Sequence, residues 1–161
     1  MQSWNPWHGC HKISEGCQNC YVYRTDSRYG KDSGKVEKTS NFDMPLNRDR
    51  SGEWKLQNDG FAVATCLTSD FFIDEADQWR SDIWQIIKRR RDLDFFIITK
   101  RIHRFYEGLP EDWGNGYDNV IIGCTCECQR TADFRLPIFL EAPIKHKVIT
   151  VSYTHLTLPT T

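Results

Sequence analysis

The sequence has no long apolar run, no excess of charge of either sign, and no basic and apolar leader at its start. It carries 21 basic and 22 acidic side chains, which leaves a formal net charge of -1. A membrane-spanning helix would require about 20 consecutive apolar residues. Balanced charge also weakens the compositional argument for a nucleic-acid binder, because such proteins usually carry a basic excess. We therefore expect a cytoplasmic protein that does not bind a membrane.

Cysteine and tryptophan are abundant, with seven and six copies among 161 residues. An odd number of cysteines without an export signal argues against a disulfide framework, because the cytosol keeps thiols reduced. Six of the seven fall into two short groups, at 10–20 and 124–128. Such clustering indicates metal binding or reactive thiols more than it indicates disulfide bridges.

The first group has the spacing C-x6-C-x2-C, formed by Cys10, Cys17 and Cys20. Its two-residue gap allows two thiolates of one tight turn to face a common centre. Three cysteines suit a 4Fe-4S cluster with one iron left open for a small molecule, whereas most closed clusters use four. A zinc site completed by His8 or His11 is the alternative metal centre, because zinc accepts three cysteines and one histidine. A cysteine-rich loop without metal is a third interpretation.

The second group, Cys124, Cys126 and Cys128, alternates along a predicted strand end. If the strand continues, all three side chains share one face of the sheet. Cysteine also packs as a small hydrophobic residue, and we interpret Cys124 in that way. The roles of Cys126 and Cys128 stay open, with metal binding as the weaker hypothesis.

The rest of the chain alternates short apolar runs with helical patterns. The apolar runs predict strands at 61–67, 95–98, 120–122 and 145–150. Helices are predicted at 21–29, 74–91, 100–106 and 127–140, the last of them interrupted near Pro137. Strand–helix units at this spacing predict an α/β fold with parallel strands and flanking helices.

Charged residues follow three of these strands. Asp70 comes after the first, Lys100 and Arg101 after the second, and Glu127 after the third. The carboxyl ends of parallel strands meet at one edge of a sheet, where α/β proteins place their ligands. The four residues are therefore candidates for binding a cofactor or substrate, with a structural role as the alternative.

The order of several motifs resembles an uncharacterised family of phage and bacterial proteins that is usually described as radical-SAM-like. The motifs are Trp4-Asn5-Pro6-Trp7-His8-Gly9-Cys10, Ser14-x-Gly16-Cys17-x-x-Cys20-Tyr21, Thr68-Ser69-Asp70-Phe71-Phe72, Ile98-Thr99-Lys100-Arg101, and Ile122-Gly123 with Glu127 and Gln129. Together they cover essentially residues 4–149.

This resemblance implies a (β/α) barrel, of which the chain forms the N-terminal, incomplete part. It implies that Cys10, Cys17 and Cys20 bind a 4Fe-4S cluster, whose open iron binds S-adenosylmethionine and whose electron cleaves it to a 5'-deoxyadenosyl radical. An electron donor and an unknown substrate would be the partners. Four residues would hold S-adenosylmethionine or the substrate, namely Asp70, Lys100, Arg101 and Glu127.

Two departures from the radical-SAM pattern are visible. The familiar loop is C-x3-C-x2-C, so the first gap here is three residues longer. Cys128 stands where the family commonly has asparagine. One alternative is therefore a protein that binds a cluster without cleaving S-adenosylmethionine. Another is a zinc-stabilised nucleic-acid-binding or phage accessory module, in which Trp4, Trp7 and Tyr21 stack on bases.

We divide the chain into a partial radical-SAM-like α/β domain, residues 1–150, and a tail, residues 151–161. The tail contains no charged residue and resembles the translated end of a sequencing-library transposon, so we expect it to be an artefact. A genuine β-prone tail is the alternative, because Thr, Val and Tyr favour strands. A complete barrel typically needs about 250 residues. We therefore expect the chain to be a truncated fragment that is inactive alone.

Overall fold

The structure, a computed structural model, describes residues 2–151. Within that range the strands and helices alternate for most of the chain. In chain order they are β1 (Ser3–Trp4), β2 (Trp7–His8), α1 (Tyr21–Arg28), β3 (Glu37–Lys38), β4 (Val63–Thr65), α2 (Asp77–Arg89), β5 (Phe95–Thr99), β6 (Val120–Cys126), α3 (Gln129–Glu141) and β7 (His146–Val151).

Five of the strands form one sheet, in the order β1-β4-β5-β6-β7, and all its neighbouring strands are parallel. The prediction of an α/β fold with a parallel sheet and flanking helices is thereby confirmed. The register aligns Thr65 of β4 with Ile97 of β5, and Thr99 of β5 with Cys124 of β6. The carboxyl ends of these three strands therefore lie along one edge of the sheet.

The two faces of the sheet are covered unequally. In β5, Phe95 and Ile97 are fully buried and belong to the same core as Ile83 of α2 and Phe139 of α3. Phe96, which points to the opposite face, is only half-buried and lies outside that core. Strands that follow one another in space through right-handed crossovers place their helices on the same side of the sheet. One face is thus packed against helices. The other is covered less completely within residues 2–151, since Phe96 and Ile98 are half-buried there, although Gly123 and Thr125 are buried.

Several elements differ from the prediction. The helix expected at 100–106 is a 3-10 turn, Ile102–Arg104, because Ile102 and Phe105 are both anchored in the core at the three-residue spacing of that turn. Pro137 lies inside α3 and does not end it, since buried residues on either side, Arg135 and Phe139, hold the helix in place.

Three short strands were not predicted at all. β1 adds a parallel strand at the edge of the sheet beside β4, and β2 pairs with β3 in a separate antiparallel ribbon. Two-residue strands show no usable periodicity, so only their pairing partners define them. The pairing of β1 with β4 and the β2–β3 ribbon bring the N-terminal segment next to the carboxyl edge of the sheet.

The last described strand, β7, ends at Val151, which pairs with Cys126. The predicted artefact covers residues 151–161, and all of it except Val151 lies outside the described residues. Across residues 2–151 the outer strands β1 and β7 do not pair with each other, and the sheet is open. A closed barrel therefore stays a prediction. None of the helices in this part of the chain is long and apolar enough to cross a membrane.

Candidate functional site

A cavity of about 330 Å³ lies at the carboxyl edge of the sheet, between the strand ends and the cysteine loop. The cysteine loop, α1, the segment after β4, the end of β5 with the residues after it, and Thr125 within β6 line it. Six of the seven predicted site residues are among them, namely Cys10, Cys17, Cys20, Asp70, Lys100 and Arg101. The fold thus brings together the two sets of candidates that were chosen on separate grounds.

Backbone contacts place the first cysteine of the loop. The amide of Cys10 donates a hydrogen bond to the carbonyl of Ser33 at 2.8 Å, and the amide of Gly9 donates to that of Thr68 at 3.2 Å. Gly9 has a φ of 96°, and a Cβ there would lie 2.1 Å from the carbonyl oxygen of Lys35. Only glycine allows this close backbone approach, so Gly9 fixes the direction in which Cys10 enters the cavity.

Helix α1 begins directly after the last cysteine of the loop and holds the loop at its other end. The amide of Cys20 donates to the carbonyl of Cys17 at 3.3 Å, which closes the turn between these two ligand candidates. The hydroxyl of Tyr21 donates to the carbonyl of Leu67 at 2.5 Å, and that of Tyr23 donates to the carbonyl of Cys10. The three cysteines are therefore tied to each other and to the end of β4.

Asp70 connects the ends of two neighbouring strands. Its Oδ1 accepts hydrogen bonds from the hydroxyl of Thr99 at 2.7 Å and the amide of Phe72 at 3.0 Å. Its Oδ2 accepts one from the amide of Lys100 at 2.9 Å and lies 3.5 Å from the guanidinium of Arg101. The carboxylate is buried, and these partners occupy both oxygens. Asp70 therefore positions Lys100 and Arg101 at the cavity.

Arg101 is buried and contacts the cysteine loop. Its guanidinium donates hydrogen bonds to the carbonyl of His11 at 2.7 Å and to the sulfur of Cys10 at 3.6 Å. Burial raises the pKa of the Cys10 thiol to about 11, and the positive charge of Arg101 acts against that rise. Arg101 therefore offsets only part of the effect of burial, and the metal-free Cys10 keeps its proton near neutral pH.

Glu127 is the predicted site residue that does not line the cavity. Its buried carboxylate forms an ion pair with Arg135 at 2.6 Å and accepts a hydrogen bond from the hydroxyl of Ser14. A Cβ on Gly16 would lie 2.3 Å from Cγ of Glu127, so the loop packs directly on this side chain. Burial acts to raise the pKa of Glu127, but Ser14 and Arg135 lower it below its usual range. Glu127 thus holds the cysteine loop against the end of β6.

The two histidines near the loop have carboxylate partners of their own. Nε2 of His8 lies 2.9 Å from Asp26, and Nε2 of His11 contacts Glu75. Within residues 2–151 no group of three or more His, Cys, Asp or Glu side chains is arranged to hold a metal ion. Both metal hypotheses for the loop stay predictions.

The second cysteine group lies elsewhere. Cys124 and Cys126 are buried in β6 on the face that packs against the helices, and the interpretation of Cys124 as a packing residue is confirmed. The strand ends at Cys126, so Cys128 does not continue the alternation. Cys128 stands at the start of α3, where its amide donates a hydrogen bond to the hydroxyl of Thr131 at 3.1 Å.

Sequence reasoning missed several residues that build the site. Ser14, Gly16 and Arg135 act through Glu127, while Thr99 acts through Asp70. Ser14, Gly16 and Thr99 lie within the family-like motifs of the sequence, but their partners are far away in the sequence, and nothing local gives them these roles. Arg135 is eight residues from Glu127 and lies outside those motifs. The two tryptophans of the opening motif, Trp4 and Trp7, are fully buried core residues. They cannot stack on bases, and that part of the nucleic-acid hypothesis is wrong.

The chain belongs to a family described as "Protein of unknown function (DUF5131)", whose profile matches residues 1–153. This agrees with the predicted membership of an uncharacterised family, and the radical-SAM relationship stays a prediction. No curated protein and no solved structure matches the chain.

Proposed function

We propose that the protein is a radical-SAM-like iron–sulfur protein that binds a 4Fe-4S cluster through Cys10, Cys17 and Cys20 and acts on an organic substrate. The observation that carries the proposal is one shared cavity. The three thiols line it at the carboxyl edge of a parallel sheet, together with Lys100 and Arg101. Parallel α/β folds bind their ligands at this edge.

The chemistry of the lining suits such a cluster. Cysteine thiolates are the usual ligands of iron–sulfur clusters, and hydrogen bonds to their sulfurs tune the reduction potential. Arg101 donates such a bond to Cys10 and brings a positive charge beside it. A bound cluster would supply the electron for reductive cleavage of S-adenosylmethionine, and the chain would bind, orient and exclude water.

The charged candidate residues have different roles in the proposed site. Asp70 and Glu127 have occupied carboxylates and act as positioning residues, for the strand ends and for the loop. Arg101 acts on the ligand Cys10. Lys100 lines the cavity and is the candidate left to contact S-adenosylmethionine or the substrate.

The order of the strands supports the barrel part of the proposal. β4, β5, β6 and β7 follow one another in space as they do in sequence. A doubly wound sheet reverses its order at one point, whereas a (β/α) barrel continues in one direction with its helices outside. The half-buried face that carries Phe96 would then be the inner face of the barrel.

Anaerobic reconstitution with iron and sulfide tests the cluster. We expect a brown protein with broad absorbance near ~400 nm, as cysteine-ligated clusters show, and about four irons per chain. Cys17→Ser should lose most of the iron and the colour. Cys128→Ser is the matched control, because Cys128 is also half-buried but does not line the cavity, and it should keep both.

Release of 5'-deoxyadenosine after reduction with S-adenosylmethionine present separates an enzyme from a protein that only binds a cluster. One tightly held zinc ion without iron uptake would overturn the proposal in favour of the zinc hypothesis. Equal iron content in the Cys17→Ser and Cys128→Ser variants would overturn the assignment of the ligands.

A further inference from the structure

The cavity carries a net positive charge. Its charged lining residues are Asp70, Lys100 and Arg101, one acid and two bases, which leaves +1. Asp70 and Arg101 neutralise each other at 3.5 Å. The surplus charge therefore belongs to Lys100.

The ammonium group of Lys100 has no hydrogen-bond or ion-pair partner among residues 2–151, although its backbone amide is bound by Asp70. Glu127 is the acid at the end of the neighbouring strand. Burial acts to raise the pKa of Glu127, and the positive charge of Lys100 contributes to lowering it below its usual range. Its carboxylate is already paired with Arg135 at 2.6 Å. Because a half-buried cation gains from an anionic partner that also satisfies its donors, Lys100 offers a site for an acidic group.

The rest of the cavity has an apolar floor. Leu67 and Ile98 line it, and both are partly accessible. Ile98 lies in β5 on the less covered face of the sheet, on the same side as Phe96. The ring of Phe96 and the methyl group of Thr150 lie over the neighbouring Gly123 of β6, so Ile98 and Leu67 themselves form the apolar floor. An apolar group of a ligand can therefore rest on the sheet while its acidic end reaches Lys100.

We propose that this cavity binds a small organic anion with an apolar body, whose acidic group pairs with Lys100 and whose body packs on Ile98 and Leu67. The volume of about 330 Å³ is at the lower end of small-molecule sites. As the substrate class of the enzyme, this inference rests on the proposed function. Binding of the anion itself requires neither iron nor S-adenosylmethionine.

A matched pair of fluorescent probes tests the inference on the full chain treated with a chelator. The first probe is 8-anilinonaphthalene-1-sulfonate, and the second is N-phenyl-1-naphthylamine, which has the same aromatic body without the sulfonate. We expect the sulfonate to bind about tenfold more tightly, equivalent to about 1.4 kcal/mol, because only the sulfonate can pair with Lys100.

Variants of Lys100 separate the contribution of its charge to binding from that of the apolar contacts. Lys100→Gln should weaken binding of the sulfonate about tenfold and leave the neutral probe unchanged. Lys100→Arg should restore the preference because it keeps the charge. Lys55→Gln makes the same change at an exposed site outside the cavity and should affect neither probe. Ile98→Ala should weaken both probes about fivefold, through lost apolar contact.

Equal affinity of the two probes, no binding of either, or an unchanged preference in Lys100→Gln would overturn the inference. The outcome is independent of iron binding. A chain that takes up no iron but shows the Lys100-dependent preference contradicts the proposed function alone. A chain that takes up iron without this preference contradicts the inference alone.

Discussion

Each of the two cysteine groups contains three cysteines, but the two groups differ in burial and in the residues around them. Cys17 and Cys20 are half-buried on a loop and line a cavity, whereas Cys124 and Cys126 are buried inside a strand. Burial raises the pKa of Cys124 to about 12 and that of Cys10 to about 11. The sulfur of Cys10, however, also accepts a hydrogen bond from Arg101 at 3.6 Å.

The difference shows that the surroundings of a thiol depend more on its position relative to the strand end than on the spacing of the cysteines. A thiol inside β6 faces the helices and contributes packing. A thiol on a loop at the carboxyl edge meets the polar and charged residues that follow the strands. Glu127 joins the two environments, because it directly follows β6 and holds the loop at Ser14 and Gly16.

The largest expected contrast is in thiol reactivity. In the metal-free protein at neutral pH, iodoacetamide should alkylate Cys17 and Cys20 at least about a thousandfold faster than Cys124. The buried thiol reacts only when the core opens, which costs about 4 kcal/mol or more. Mass spectrometry of timed samples gives the rate at each site. Similar rates at the three sites would mean that the two groups do not differ in exposure.

Glu127→Gln should weaken the link between the two regions. Removing the charge leaves Arg135 without its buried partner, and we expect unfolding to become easier by about 3 kcal/mol near neutral pH. The folded-state pKa of Glu127 is lowered, so its stabilising contribution is present above the unfolded pKa and is lost as pH falls through the folded one. The difference from the wild type should therefore shrink in acid, as urea unfolding at several pH values will measure.

Glu15→Gln is the matched control for that change. Glu15 pairs with Arg130 at 2.7 Å, but both side chains are largely exposed. Exposed ion pairs of this kind contribute little to stability because water and salt screen them, so this variant should unfold almost as the wild type does. Equal effects of the two substitutions would show that Glu127 does not hold the loop.

Gly16→Ala tests the contact between the cysteine loop and Glu127 by adding a single methyl group. The new methyl group would lie 2.3 Å from Cγ of Glu127 and must push the loop away from β6. We expect a loss of about 2 kcal/mol in unfolding free energy, typical of overpacking, with faster alkylation of the adjacent Cys17. Gly34→Ala, at a half-buried glycine where a Cβ would meet only the side chain of the exposed Asp32, should change neither quantity.

Much of the architecture could be predicted from local patterns. The apolar runs that became β5 and β6, and the periodicity of α2, locate a strand or helix without knowledge of any partner. β1 could not be found, because its two residues become a strand only through pairing with β4. The cavity could be predicted in outline, since parallel strands necessarily align their carboxyl ends.

By itself, the sequence determined the alternation of strands and helices, the three-cysteine loop, and the charged residues at the strand ends. Only the tertiary structure decided what those charged residues do. Asp70 and Glu127 have partners at Thr99 and Ser14, far from them in the sequence, while the ammonium group of Lys100 has none within hydrogen-bond distance among residues 2–151. The physical reason is that a charge is satisfied by whatever groups the fold brings within hydrogen-bond distance, and local sequence does not record them.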